Sequence, residues 1–128
     1  MQRIATSLGL LVLAVLAAGC GGSSPPAEEA VARQTSEAFL AELRAGQVDA
    51  AWQSTTAEFK SDEGRESFAR LVRSKPLFQQ PLTFGKYEVV ETNGLRRGQC
   101  TYQSAQGQVR IMVAREGDMW RVDGLFID

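Results

Sequence analysis

Two cysteines, Cys20 and Cys100, are the residues whose type most readily does chemistry in this 128-residue chain. Cys100 lies in the run Arg96-Arg97-Gly98-Gln99-Cys100-Thr101-Tyr102. A thiol becomes a nucleophile when a base or a cation lowers its pKa, and Arg96 or Arg97 is a cation that could sit near it. The chain has no histidine, however. That removes the commonest general base, the commonest zinc ligand and the usual near-neutral pH switch. Without it, Cys100 is expected to pack as a small hydrophobe, and no catalytic residue is assigned. The acidic pairs Asp62-Glu63 and Glu116-Gly117-Asp118 do not follow a calcium-loop spacing. The glycines fall singly in turns or near the front, not in a phosphate-binding loop. No metal and no cofactor are therefore expected.

The surroundings of Cys20 have a different character. Arg3 gives a short positive start, residues 8–16 form an uncharged apolar run, and Ala17-Ala18-Gly19 supply small residues before the cysteine. This is the three-part layout of an export signal, and the run is short for a membrane-spanning helix, which needs about 20 apolar residues. Leu16-Ala17-Ala18-Gly19-Cys20 resembles the lipobox of bacterial lipoproteins, with leucine one place earlier than usual and Ala17 in its slot. The resemblance implies a signal peptide over residues 1–19, cleavage before Cys20, and a diacylglycerol on its thiol. A further acyl chain such as palmitate often joins the new amine. An ordinary secretory signal that places a cysteine after Ala-Gly is the plainer alternative. Two or three acyl chains make membrane residence stable. Gly21 in place of Asp implies the outer membrane in a host with two membranes, and otherwise the outer face of the cell membrane. Residues 20–26 are read as the lipidated cysteine and a flexible tether.

Removing residues 1–19 takes away one basic residue, leaving 14 − 1 = 13 positive and 15 negative side chains. A chain without a basic excess does not replace counterions on phosphates, so nucleic acid is excluded as the main partner. Arg96-Arg97, Arg110 and Arg121 fall on separate strand positions and are expected to form a solvated face.

From residue 27 the pattern turns helical, with Val31, Thr35, Ala38, Phe39 and Leu43 on one face and Gly46 as the C-terminal stop. A second helix is expected over residues 48–59, with Ala51, Trp52, Thr55 and Phe59 on one side. A third opens at Ser61-Asp62-Glu63, is carried by Phe68, Leu71 and Val72, and stops before Pro76. The period then changes to alternation. Strands are expected over 82–91, 95–104, 109–115 and 119–127, joined by Asn93-Gly94, Ala105-Gln106-Gly107 and Glu116-Gly117-Asp118. Three short turns between four strands dictate an antiparallel meander. The expected fold is an α+β domain over residues 27–128, three N-terminal helices packed on a curved four-stranded sheet.

The stretch from Phe39 to Trp52 with Gly46, Asp49, Ala50 and Ala51, the group Phe68, Leu71, Val72, Pro76 and Leu77, and the closing Glu116-Gly117-Asp118-Met119-Trp120-Arg121-Val122-Asp123-Gly124 resemble NTF2-like, cystatin-like cone domains. Small NTF2-like lipoproteins of unknown function look closest. The resemblance implies a curved sheet wrapped around a long helix, and it makes a homodimer through the sheets plausible. One branch, the ketosteroid isomerases, uses an acidic base with a tyrosine and a second acid. Tyr87, Tyr102, Glu88, Glu91 and Asp123 are of those types, but no quoted motif arranges them, and strand tyrosines more often pack. The candidate pocket residues are Tyr87, Tyr102, Trp120, Trp52 and Cys100, and the two tryptophans are expected mainly in the core. The leading functional expectation is a membrane-anchored, non-catalytic binding or scaffold domain at the cell envelope. Its partners would be the bilayer and either a small apolar ligand or an envelope protein. A small-molecule enzyme or carrier using a hollow cone is the alternative.

Overall fold

In the first long helix the small residues Ala32 and Ser36 are followed by the large Phe39, Leu40 and Leu43 along one stripe, and these five are the buried ones. The stripe is rotated from the expected one: Ala38 is exposed, and Val31 and Thr35 are only half-buried. The rotation has a physical cause. Ala32 lies directly over Gly98 of the sheet, so small side chains, not β-branched ones, face inward there.

The computed structural model describes residues 25–128, and the expected signal peptide, Cys20 and the front of the tether lie outside them. Helix α1 runs Pro25–Arg44, beginning two residues before the expected domain boundary. A proline pair is compatible with a helical first turn, where the missing N–H has no partner to lose. Gly46, at φ 79°, ends α1. Gly46 N–H donates to Leu43 O at 3.2 Å and Gln47 N–H to Glu42 O at 2.9 Å, the pair of bonds that closes a Schellman motif.

The expected second helix is two short ones, α2 (Val48–Gln53) and α3 (Ala57–Asp62). The break falls at Ser54-Thr55-Thr56, whose hydroxyls bond to local backbone in competition with the helix. Ser54 Oγ donates to Ala51 O at 2.7 Å and Thr55 Oγ1 to Trp52 O at 2.6 Å. Thr56 Oγ1 then caps α3 by accepting from Phe59 N at 3.1 Å. Helix α4 (Arg65–Ser74) follows, and Pro76 opens a 3-10 turn, Pro76–Gln79.

Four strands complete the chain: β1 (Thr83–Thr92), β2 (Leu95–Ser104), β3 (Gly107–Glu116) and β4 (Met119–Ile127). They pair antiparallel in the order β1-β2-β3-β4, an open meander that begins where the helices end. Asn93 and Gly94 both adopt positive φ, 53° and 77°, as the tight first turn requires. Two bulges bend the sheet. In β1 the register jumps between Phe84 and Lys86 at Gly85, and in β4 Asp123 is left unpaired between Val122↔Val113 and Gly124↔Met112.

The inner face presents Gly98, Cys100 and Tyr102 from β2 and Val109, Ile111 and Val113 from β3, all buried. The space between this face and the helices is filled by rings. Phe68 lies 6.0 Å from Phe39 and 5.7 Å edge-on from Phe59, and Phe84 stands edge-on to Tyr102 at 5.8 Å. Gly98 makes room for the Tyr87 ring beneath α1: a Cβ there would lie 2.8 Å from Tyr87 Cε2, while Ala32 Cβ at 3.4 Å would be in ordinary contact. Gly98→Ala is expected to destabilise the fold by about 1–3 kcal/mol through overpacking. Urea unfolding checks it. A change below about 0.5 kcal/mol would mean that Tyr87 swings aside and the contact is not a constraint.

Candidate functional site

The candidate residues fall into two separate groups. Tyr87, Cys100 and Tyr102 come together under α1: Tyr87 pairs directly with Cys100 across β1 and β2, and Tyr102 is the next inward residue on β2. Cys100 and Tyr102 are almost wholly buried, at 0% and 1% exposure. Ser36 of α1 is the fourth member, which sequence reading passed over. Its hydroxyl and the Tyr102 phenol approach the thiol closely enough to favour its ionised form. Neither oxygen reaches a hydrogen-bonding geometry with any described atom.

Burial dominates the electrostatics of this cluster. It pushes the Cys100 thiol above its ordinary value, against the smaller opposing effects of Ser36 and Tyr102. It pushes Tyr102 far up, reinforced by Cys100 and Glu37, and raises Tyr87 with help from Glu28. At neutral pH the thiol and both phenols are therefore protonated. The arginines expected near Cys100 do not serve it. Arg97 points to the opposite face, and Arg96 is held by Glu28 of α1 at 2.7 Å. The cluster is a set of neutral, weakly satisfied groups in the core.

Trp52 and Trp120 are placed differently. Trp52, on α2, donates its Nε1–H to Glu63 O at 2.9 Å and packs against the core. Trp120 lies on β4 opposite Arg115 and also packs against the core from the side. Both are half-buried, and Trp52 fastens the α3–α4 junction to α2.

The most connected polar group spans β2, β4 and the break before α3. Asp123, the bulge residue, accepts from Thr56 Oγ1 at 2.6 Å and pairs with Arg97 Nε at 2.6 Å. Both side chains are largely enclosed, at 15% exposure for Arg97 and 7% for Asp123. Thr56 N–H adds a backbone bond to Val122 O at 2.9 Å. Arg97 also reaches Glu58 at 3.5 Å. This network is satisfied on every side, so its chemistry is structural: it fastens the helical layer to the edge of the sheet. Three residues distant in sequence build it, and no local motif signals it.

A surface groove of about 630 Å³ lies between the C-terminal end of α1, the start of α2 and the end of α4. Leu43, Val48 and Val72 form its apolar floor, and Arg73, Lys75 and Asp49 stand on its rim. Asp49 is bonded to Arg65, which holds its carboxyl below the usual range. A smaller groove of about 210 Å³ is lined by Tyr102, Leu40 and Leu82 beneath Glu37 and Arg44. Among the described residues no group of three or more His, Cys, Asp or Glu gathers as metal ligands do, and no helix is long and apolar enough to cross a membrane.

Scanned against models of protein families, the chain matches none, and a search of curated proteins finds no match either.

Two predictions follow from these placements. Because the native state holds the Cys100 and Tyr102 protons more tightly than the unfolded chain, it keeps protons that the unfolded chain gives up on the alkaline side. Stability is therefore fully present below the ordinary thiol value of 9.0 and falls as pH rises past it, with the phenols extending the fall above 10.0. Urea midpoints measured across this range are expected to drop, and Cys100→Ala is expected to remove the part that starts with the thiol. A flat profile would show that the cluster is not held neutral by burial. Thr56→Ala removes both the α3 cap and a partner of Asp123, and is expected to cost about 1–2 kcal/mol by the same denaturation measurement.

Proposed function

We propose that this chain is an exported lipoprotein, anchored by acylated Cys20, whose α+β domain binds a partner at the cell envelope and catalyses no reaction. The observation that carries the reading is Leu16-Ala17-Ala18-Gly19-Cys20 at the end of an uncharged apolar run, ahead of an α+β domain.

Two features support the non-catalytic half. The interior under α1 is packed with side chains, and the thiol and phenols there are kept protonated by burial. A nucleophile or general base needs the opposite, an accessible group poised near the working pH. The groove floored by Leu43, Val48 and Val72 is a surface that could receive a ligand or an envelope protein. The order of helices followed by an open curved meander supports membership of the NTF2-like cone domains.

The anchor is tested by the intact mass of the protein taken from its native membrane, beside Cys20→Ala. The expected mass is that of the chain from Cys20 onward plus a diacylglyceryl group, absent in the variant. A cleaved but unacylated mass would overturn the anchor and leave a freely diffusing exported domain.

A further inference from the structure

We infer that one end of the domain is a lipid-facing surface. This is the end carrying the β1–β2 and β3–β4 turns, and there Leu95 and Met119 enter the headgroup layer of the membrane that holds Cys20. This rests on the proposed acylation of Cys20 and adds to it which face of the domain meets the bilayer.

The argument begins with chain length. Cys20 precedes Pro25 by five residues, and n residues span at most about 3.3–3.6 Å × n, so the start of α1 stays within about 18 Å of the acylated cysteine. The sheet is far longer than that allowance, since ten-residue strands at about 3.3 Å per residue extend about 33 Å. The end nearest the start of α1 is therefore the end delivered to the membrane.

Which end that is follows from contacts. Glu28, in the first described turn of α1, pairs with Arg96 at 2.7 Å, and Ala32 faces Gly98. The helix thus starts beside the β1–β2 turn and runs along β2 in the same direction. Strands β2 and β4 are parallel to each other across the meander, so their first residues, Leu95 and Met119, lie at this same end.

That end is also where the exposed apolar side chains collect. Among the described residues four large hydrophobic ones are exposed: Val89 at 41%, Leu95 at 56%, Met119 at 56% and Phe126 at 42%. Leu95 and Met119 are the two most exposed, both follow turn residues, and Val89 pairs with Gly98 nearby on the same hairpin. Phe126 lies toward the other end, covered on one side by the Arg110 guanidinium 5.0 Å from its ring centre. The charges around the tips leave a small negative excess: Glu28 and Glu91 answer Arg96, Glu116 answers Arg121, Arg115 and Asp118 add one of each sign, and Glu29 adds a further acid. The partner that fits is a neutral lipid interface that accepts two or three apolar side chains. So small a wedge binds weakly from solution. With only four residues between Cys20 and Pro25, its docking becomes an intramolecular event at high effective concentration.

The test uses the full acylated chain in phosphatidylcholine vesicles. Leu95→Cys, Met119→Cys and, at the far β2–β3 turn, Gln106→Cys are each labelled with an environment-sensitive fluorophore. Cys100 is buried and Cys20 is acylated, so neither takes the label. Labels at 95 and 119 are expected to be roughly threefold less accessible to aqueous iodide than the label at 106, and to be quenched by nitroxide-bearing lipid, as shallow interfacial insertion requires. Raising salt is expected to leave this unchanged. Equal iodide access at all three positions on vesicle-bound, acylated protein overturns the inference while leaving the anchor intact. Protection from iodide without quenching by lipid nitroxide also overturns it, because a second copy or another protein would then cover the tips. A chain that carries no diacylglyceryl mass overturns both the inference and the proposed anchor.

Discussion

The fold depends on how closely α1 lies against β2. Ala32 and Ser36 on the helix, and Gly98 and Cys100 on the strand, are small enough to let the two backbones approach, and Tyr87 closes over the contact from β1. Everything larger is displaced along the helix. Phe39, Leu40 and Leu43 come one or two turns later, where the gap widens and Phe68, Phe59 and Phe78 meet them. The same approach explains the unpartnered hydroxyls of Ser36 and Tyr102. A site too tight for larger groups also leaves little choice of hydrogen-bond geometry, and the cost is tolerated because dense packing surrounds it.

Much of the architecture was legible in the sequence because its signals are local. Asn93-Gly94 set the first hairpin, the flanking turns set the ends of β2 and the start of β4, and Gly46 marked the end of α1. What was not legible depends on tertiary partners. The inward stripe of α1 is shifted because the sheet selects small residues at 32 and 36, a preference that hydrophobic periodicity does not encode. The expected helix over 48–59 divides because Thr56 has a backbone partner in Val122, on the last strand. The bulge at Asp123 slips the inward phase of β4 from Trp120 and Val122 to Leu125 and Ile127, but Phe126 carries the earlier alternation on in the sequence and masks the slip. The Arg97–Asp123–Thr56 network therefore had no sequence signature, although each of its members was visible as a polar residue in an ordered segment.

The candidate chemistry shows the same division. The list Tyr87, Cys100, Tyr102, Trp52 and Trp120 was drawn from residue type, and burial decides what those types do. A thiol and two phenols collected under a helix look like a reactive group until desolvation is considered; it raises all three pKa values, so at neutral pH they stay protonated. The polar residues with real electrostatic consequence, Arg97 and Asp123, instead join secondary-structure elements. Function, on this reading, belongs to the surface: an apolar-floored groove near the end of α1 and a pair of hydrophobic hairpin tips near its beginning, separated by the length of the helix.

An open meander has two free margins, and the two are treated differently. Along β4, Thr56 occupies the carbonyl of Val122, so the helical layer itself takes up part of that margin. Along β1, the bulge at Gly85 interrupts the regular ladder, and the outward-facing Lys86 and Glu88 engage each other at 2.9 Å. A flat, uninterrupted, apolar margin is the template on which identical chains add to one another, and bulges and charges are the usual means of spoiling it. Domains held at one surface meet repeatedly in the same orientation, which raises the chance that margins will align. On the proposed anchoring by Cys20, the kink and the charge pair on β1 would let many copies share a membrane without zipping together strand by strand.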